Sequence, residues 1–183
     1  MSIVLLKNTE SQTVEKKSVF LTYGRIARTE EEAKRQIEEI RSSHPKASHV
    51  LYVYSAGGNK EAADEDKEPV SSMHNALKLM QKKGITDSLV VIVRYFGGTL
   101  LGASNLDRLY FRLVFEALAE ENLGPKILFY PFEGKIRSIY LKPFEKEVEK
   151  ENARILKKDF EGAFVSLQGE TPIKDSPLLD FFR

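Results

Sequence analysis

The stretch VVIVRYFGGTLLGASNLDRLYF, residues 90–111, carries the residues best placed to do chemistry. Gly97, Gly98 and Gly102 separate an apolar segment from an amphipathic one, as at a turn from a strand into a helix. Backbone N–H groups at such a turn can face an anion, helped by the helix N-terminus. However, GGTLLG has neither the Lys-Ser/Thr pair of a P-loop nor the spacing of G-x-G-x-x-G. As generic signals, these glycines favour a structural turn over an anion site.

Cationic side chains surround this turn. Arg94 lies inside an apolar segment, where an unpaired guanidinium is costly to bury. It therefore either reaches a binding surface or pairs with an acid, for which the candidates are Glu68, Asp66 and Asp107. Arg108 and Arg112 are four residues apart and share a helix face. Their side chains could contact phosphates, or their stems could only cover apolar surface.

Aromatic side chains lie beside these cations and could stack on nucleic-acid bases. They are Tyr95, Phe96 and Tyr110. The alternative for each is a ring that packs into the core. The formal net charge is only +1, from 28 Lys and Arg against 27 Asp and Glu. Any basic surface must therefore be local, and bulk charge does not indicate nucleic acid.

The chain offers little for catalysis or for metal binding. It has no Cys, and no pair of its three His residues has the i, i+4 spacing of a zinc site. No G-x-S-x-G elbow nominates a nucleophile. The acids within residues 64–68 are more typical of a solvated charge run than of a cation site. We therefore expect no catalytic residue, no metal site and no cofactor.

Composition indicates a soluble globular protein. Apolar residues make up 42% and charged residues 30% of the 183 residues, which is ordinary for a folded chain. The lack of Cys excludes disulfides and fits a reducing compartment. No apolar run approaches the roughly 20 residues that span a bilayer, and residues 3–6 are too few for a signal-peptide core. A cytoplasmic protein without a membrane partner is expected.

Residue patterns predict four strands in the first two thirds of the chain, at residues 2–7, 13–23, 48–55 and 88–96. A polar turn at residues 8–11 is predicted between the first two. The last is nearly continuously apolar, which predicts a central position in a sheet. Residues 57–69 are rich in acids and glycine, and an exposed loop is predicted there.

Three helices are predicted between these strands and after them. The first starts at Thr29, with Glu32 completing a capping box, and stops before His44-Pro45. The second runs from Ser71 or Ser72 to a C-cap at Gly84. The third is long and is predicted to be capped by Ser104, with Asp107 in its first turn.

The segment Asn122-Leu123-Gly124-Pro125 is the best domain boundary, so two domains are predicted, at residues 1–123 and 124–183. In the second, strand material at 127–141 is predicted around a turn at Glu133-Gly134. A helix with Pro143 in its first turn is predicted to run to about residue 152. A hairpin follows around Glu161-Gly162.

The segment VRYFGGTLLG resembles the signature of the YigZ/IMPACT family, and the surrounding pieces stand in the family's order. The pieces are K-S-x-F at residues 17–20, H-P-x-A-x-H at 44–49, D-x-E-P at 66–69, the helix that follows, and R-Y-F-G-G at 94–98. Five pieces in order over residues 16–118 are far more specific than one R-Y-x-G-G motif.

This resemblance implies an α+β fold. The first domain is expected to be a two-layer α/β sandwich like the second domain of a small-subunit ribosomal protein and of elongation factor G. The second is expected to be a short ferredoxin-like unit. A complete unit of that kind reads βαββαβ. Here we expect βαββ, with the last helix and strand missing or replaced by the tail PLLDFFR.

The chain also departs from the family pattern. Lys67, Ser71 and His74 stand where the family has glycines, which makes a close backbone approach to a ligand less plausible at that turn. Val19 stands where members commonly carry Arg. The residues before 16 leave no room for the RWD domain through which eukaryotic members act. The resemblance is therefore to a divergent member.

The resemblance implies a role in translation, because eukaryotic members regulate it and bacterial relatives are linked to nucleic acid or ribosomal components. We expect a non-enzymatic binding protein whose partner is RNA or a ribosome-associated protein. Candidate binding residues are Lys17, His49, Glu68, Arg94, Tyr95, Gly97, Gly98, Asn105, Arg108 and Arg112. Two alternatives remain: a protein–protein adaptor without nucleic-acid binding, and a hydrolase or transferase that uses Glu68 and His49.

Overall fold

A computed structural model of the protein describes residues 2–57 and 59–183. Met1, at the start of the first predicted domain, and Gly58, in the predicted acidic loop, lie outside the described residues. The chain divides into two compact units, Met1–Lys126 and Ile127–Arg183. Each unit combines strands with helices, so the α+β class predicted from the sequence is confirmed.

Within its described residues, the first unit contains eight strands and three α-helices. In chain order they are β1 (Ile3–Leu5), β2 (Thr9–Glu15), β3 (Ser18–Ile26), α1 (Glu30–Ser43), β4 (His49–Ala56), β5 (Lys60–Asp64), α2 (Ser72–Lys83), β6 (Ile85–Thr86), β7 (Ser88–Tyr95), α3 (Ala103–Ala117) and β8 (Leu123–Pro125). The main sheet has the order β2-β3-β7-β4-β5 and is antiparallel throughout. A small second sheet has the order β6-β1-β8. Gly124 and Pro125, which follow the predicted boundary, therefore pair with β1.

Strand β7 is the centre of the main sheet, as its apolar run predicts. Its side chains alternate between two hydrophobic cores. Val90 and Ile92 pack with α2 and α3, while Val91 and Val93 pack with α1. Because both faces are covered by helices, residues 88–94 are all buried. The next even position in this alternation belongs to Arg94, which therefore points toward the side of α2 and α3.

Local sequence signals predict both ends of α1 and of α2 correctly, but not the start of α3. The hydroxyl of Thr29 accepts from the N–H of Glu32 at 3.1 Å, and α2 ends at Gly84 in the left-handed region with φ 69°. The predicted start of α3 was wrong: the helix begins at Ala103, with Gly102 (φ 84°) as its N-cap. Asp107 then lies beyond the first turn, and its carboxylate accepts from the N–H of Ser71 at 2.9 Å.

Two segments predicted as turn or loop are strands. The polar residues 9–11 belong to β2, and the hairpin turn lies instead at Lys16 and Lys17, with φ of 45° and 66°. Residues Lys60–Asp64 of the predicted acidic loop form β5, which pairs with β4. Both β2 and β5 are edge strands, where one side faces solvent and charged residues are common. Polarity therefore misled the prediction at both edges.

The second unit consists of β9 (Tyr130–Arg137), a 3₁₀ turn (Ser138–Tyr140), α4 (Leu141–Lys150), β10 (Arg154–Glu161), β11 (Phe164–Thr171) and a 3₁₀ helix, Pro177–Phe182. Its antiparallel sheet has the order β10-β11-β9. Pro143 lies in the first turn of α4, and a tight turn with Gly162 at φ 62° joins β10 to β11, as predicted. The predicted turn at Glu133-Gly134 was wrong, because β9 runs through it. Gly134 is needed where the ring of Phe182 packs against the strand.

Candidate functional site

A buried ion pair stands at the end of β7. Nη1 of Arg94 donates to both carboxylate oxygens of Glu68, at 2.7 and 2.9 Å. Arg94 is only 6% exposed, and Glu68 is buried beside it. Of the three acids considered from the sequence, Glu68 is therefore the partner of this guanidinium. An Arg in this position is not available to an RNA phosphate unless the pair opens.

His49 completes a three-residue cluster with this pair, hereafter the Arg94–Glu68–His49 cluster. Its Nε2 lies 2.7 Å from Oε1 of Glu68, and its Nδ1 lies 2.9 Å from the carbonyl oxygen of Asp66. The carboxylate of Asp66 in turn accepts from the N–H of Val50 at 2.6 Å. These bonds attach the turn at 66–69 to the start of β4. The H-P-x-A-x-H and D-x-E-P pieces of the sequence therefore lie beside the R-Y-F-G-G piece.

The two glycines that follow β7 are required by the packing and the backbone conformation of the turn. A Cβ on Gly97 would collide with the backbone of Lys17 in the β2–β3 turn, and the Gly97 N–H donates to the hydroxyl of Ser18 at 3.2 Å. Gly98 has φ 85°, a conformation that L side chains rarely adopt. Both glycines therefore shape the loop that connects β7 to α3. Lys17 itself is exposed on the turn that this loop contacts.

Tyr95 does not lie on the same side of the sheet as Arg94, because neighbouring strand residues face opposite ways. Its hydroxyl is 2.7 Å from Nδ1 of His44, and Nε2 of the same ring is 2.8 Å from the hydroxyl of Tyr23. Tyr95 therefore packs beside the core that α1 covers. Arg94 and Tyr95, both candidate binding residues from the sequence, therefore cannot contact one nucleotide from the same side of the sheet.

Tyr110 is also a core residue and not a stacking platform. It is fully buried and packs edge-on against Phe20, with ring centroids 5.5 Å apart. Burial raises the pKa of the Tyr110 phenol well above its usual range, and the negative charge of Glu68 raises it further, against the opposing charge of Arg94. The hydroxyl is therefore neutral at physiological pH.

The buried hydroxyl of Tyr110 leads to a prediction about stability. It has no hydrogen-bond partner within the described residues. Because a buried hydroxyl without a partner costs desolvation free energy, Tyr110→Phe should leave the free energy of unfolding unchanged or raise it, by up to about 1–3 kcal/mol. Urea denaturation measures this change. A loss above about 2 kcal/mol would instead show that the hydroxyl bonds to a neighbour such as Nε of Arg94.

Two neighbouring clefts lie beside this region. The first, of about 480 Å³, is called the apolar cleft; besides the Arg94–Glu68–His49 cluster it is lined mainly by Pro69, Phe96, Leu100, Leu101, Ala103 and Leu106. The second, of about 410 Å³, is called the basic cleft and is lined by Glu15, Lys16, Leu101, Asn105, Arg108, Leu109 and Arg112. The two clefts share Leu101. Arg94 and His49 thus converge on one cleft, and the helix arginines on its neighbour.

The cations of the basic cleft are exposed. Arg108 forms no ion pair with any residue that the structure describes, and Arg112 makes a long contact of 3.8 Å with Glu116, both side chains being solvated. Asn105 donates from its amide to the carbonyl oxygen of Leu101 at 3.1 Å, so it organises the loop. Lys16 was missed from the sequence, because the predicted turn at residues 8–11 moved the hairpin away from α3.

Other kinds of site find little support in the structure. Over residues 2–57 and 59–183, no group of three or more His, Cys, Asp or Glu side chains is arranged to hold a metal ion. Over the same ranges, no helix is long and apolar enough to cross a membrane.

One family model covers the glycine loop, the Arg94–Glu68–His49 cluster and every strand of the main sheet except β2. The family model of the Impact N-terminal domain matches residues 16–118, which is more than half of the chain and contains both clefts' main residues. The chain therefore belongs to the IMPACT family, and the resemblance drawn from its five sequence pieces is confirmed.

Individual relatives support the same assignment. The chain is 35% identical over 112 residues to the IMPACT family member YvyE of Bacillus subtilis (strain 168), covering 60% of this chain and 52% of YvyE. It is 29% identical over 180 residues to the IMPACT family member YigZ of Escherichia coli (strain K12), covering 92% of this chain and 87% of YigZ. The match thus spans about half of YvyE but most of YigZ.

A solved structure matches nearly the whole fold. The crystal structure of a hypothetical protein, 26% identical in sequence, aligns with a TM-score of 0.64 and covers 93% of this chain and 85% of that one. The α+β architecture described above is therefore one that an experimental structure also contains.

Proposed function

We propose that this chain is a non-enzymatic binding protein that acts in the cytoplasm, in translation or its regulation, by contacting RNA through the basic cleft. One observation carries the proposal: Lys16, Arg108 and Arg112 converge on one cleft while their side chains remain exposed to solvent. The translational setting rests on the family resemblance. The contact with RNA rests on the charge of the cleft.

The charge of this cleft is local, which suits a phosphate contact. The whole chain has a net charge of only +1, yet three cations line the cleft against one acid, Glu15. Exposed Lys and Arg side chains bind phosphates mainly by releasing counterions, so they do not need to be buried. Arg94, in contrast, is already neutralised by Glu68, so we do not propose that it contacts RNA.

The helix arginines should determine how RNA binding depends on salt. A plot of log affinity against log salt concentration should be steep for the intact protein, and its slope should become shallower by about one for each of Arg108→Ala and Arg112→Ala. Fluorescence anisotropy with a labelled single-stranded RNA measures this slope between low and physiological salt.

The matched control is Arg35→Ala. Arg35 is an exposed Arg on α1 with a similar long contact to an acid four residues later, but α1 covers the other face of the main sheet. Its removal should leave the slope unchanged. Binding that is absent, or that does not respond to salt, would contradict the proposal.

The geometry argues against the hydrolase or transferase alternative. Both nitrogens of His49 lie within hydrogen-bond distance of oxygen atoms, of Glu68 and of the Asp66 carbonyl. Both oxygens of Glu68 accept from Arg94. These side chains therefore serve the internal cluster, and a reaction that used either one as a free base would first have to break a buried bond.

A protein–protein adaptor is the second candidate, and the second unit favours it. Leu156 and Phe160 of strand β10 are 68% and 67% exposed. Exposed apolar side chains grouped on one element often mark a contact with another protein. If the intact protein binds no RNA but retains a specific protein partner, and Phe160→Asp releases that partner, the adaptor is the better assignment.

A further inference from the structure

We propose that the apolar cleft holds an unpaired base of a single-stranded RNA whose phosphates lie on the basic cleft. This inference rests on the proposed function and adds the class of ligand: single-stranded rather than duplex RNA. The inference is based on the surface around Phe96, which is not part of the basic cleft.

Phe96 supplies the aromatic surface that a base needs. It is 47% exposed and follows Tyr95, the half-buried last residue of β7. Its N–H donates to the hydroxyl of Ser48 at 2.9 Å, and the guanidinium of Arg94 lies 5.5 Å from its ring centroid. The ring is thus held in place from the protein side while about half of the residue's surface is open. Bases stack on such rings without regard to sequence.

The remaining wall of the apolar cleft is suited to a flat, uncharged group. Leu100 is 80% exposed at its edge, and Leu101 and Leu106 line it more deeply. The carboxylate of Glu68 is neutralised by Arg94 and bonded by His49, so no unpaired acid of the described chain faces the cleft to repel a nucleotide. A volume of about 480 Å³ is in the range of pockets that hold small organic molecules.

The position of the two clefts favours a single strand. They share Leu101, so a backbone that follows the cations of the basic cleft passes the mouth of the apolar cleft. In a duplex the bases are stacked and paired inside, and no base can enter a side pocket without the cost of unpairing. A single strand can place one base against Phe96 while its neighbouring phosphates contact Arg108 and Arg112.

The absence of tryptophan from the chain allows a direct test. Phe96→Trp introduces a single indole at the proposed stacking position. Titration with a single-stranded oligoribonucleotide should quench the indole fluorescence, because a base stacks on it. A duplex of the same length, and a single strand that carries abasic sites, should leave the fluorescence nearly unchanged. The matched control, Phe160→Trp in an otherwise intact chain, should not respond to any of these ligands.

Affinity supplies a second readout. Phe96→Ala should weaken binding of the single strand by roughly tenfold and leave binding of the duplex unchanged, since only the stacking contact is lost. Phe96→Leu, which keeps apolar volume but removes the aromatic face, should weaken single-strand binding like Phe96→Ala. Circular dichroism checks that each variant is folded. Because Phe96 is about half exposed, its replacement should not unfold the protein.

The outcomes separate this inference from the proposed function. The inference is wrong if RNA binds with a steep salt dependence but the indole is not quenched, or if Phe96→Ala weakens binding of single strand and duplex equally. RNA binding at the basic cleft would still be supported in either case. If no RNA binds, both are wrong. If RNA has no effect but an acidic peptide with a leucine anchor quenches the indole, the cleft is a protein-binding site, and the inference is likewise overturned.

Discussion

Glu68→Ala should lower the free energy of unfolding of the first unit by about 3–5 kcal/mol. The substitution leaves the guanidinium of Arg94 buried without its partner, and it also removes the acceptor of His49 Nε2. A buried charge that loses its partner cannot regain water without opening the structure around it. Urea denaturation followed by circular dichroism measures the loss.

A matched control and a double variant show the origin of this effect. Glu116→Ala removes the acid of the exposed Arg112–Glu116 contact and should change stability by less than about 0.5 kcal/mol. Arg94→Met combined with Glu68→Leu should recover most of the stability, because apolar side chains can replace a buried ion pair. A small loss in Glu68→Ala, or a double variant no more stable than the single one, would show that the pair is not what holds this region.

Phe144→Ala should remove most of the stability of the second unit while leaving the first unit folded. Phe144 is fully buried in α4, and its ring contacts those of Phe132, Phe181 and Phe182 at centroid distances of 5.5–5.8 Å. Truncating a buried Phe costs about 3–5 kcal/mol. A core of this size rarely supplies more than about the same amount, so the loss should be nearly complete.

Hydrogen exchange distinguishes the two units in the same sample. Amides of β11 should lose protection in Phe144→Ala, and amides of β7 should keep it. Phe160→Ala is the matched control, because Phe160 belongs to the same sheet but is largely exposed. Protection that survives in β11, or that is lost in β7 as well, would contradict the independence of the two cores.

Local signals in the sequence were sufficient to place α1, α2 and the central strand, and for α3 they missed only its start. Thr29 and Gly84 cap their helices through bonds and backbone angles that involve only near neighbours. The apolar run of β7 predicts a strand buried on both faces without any knowledge of its partners. The two glycines of the turn after β7 were likewise predicted to be structural, and Gly97 is required by its contact with Lys17.

The same local signals did not predict the edge strands of the main sheet or the position of the β2–β3 turn. The edge strands β2 and β5 are polar because solvent lies beside them, so their composition resembles that of loops. Misplacing the β2–β3 turn hid Lys16 and moved the predicted strand boundaries. The grouping of Arg94 with Tyr95 ignored the alternation of a strand, which sends the two side chains to opposite faces.

The family, the α+β class and the set of candidate residues could all be predicted from the sequence, because they follow from residue types, spacings and local periodicity. Which of these candidates lie close together follows from packing between distant segments, which local patterns do not contain. Pairing of β7 with β4 places His49 opposite Arg94, and the turn at 66–69 brings the buried carboxylate of Glu68 to both. The same packing leaves Arg108 and Arg112 in solvent beside Lys16. Burial and pairing arise from contacts between distant segments, so no local pattern can show which charge is neutralised and which remains free to bind.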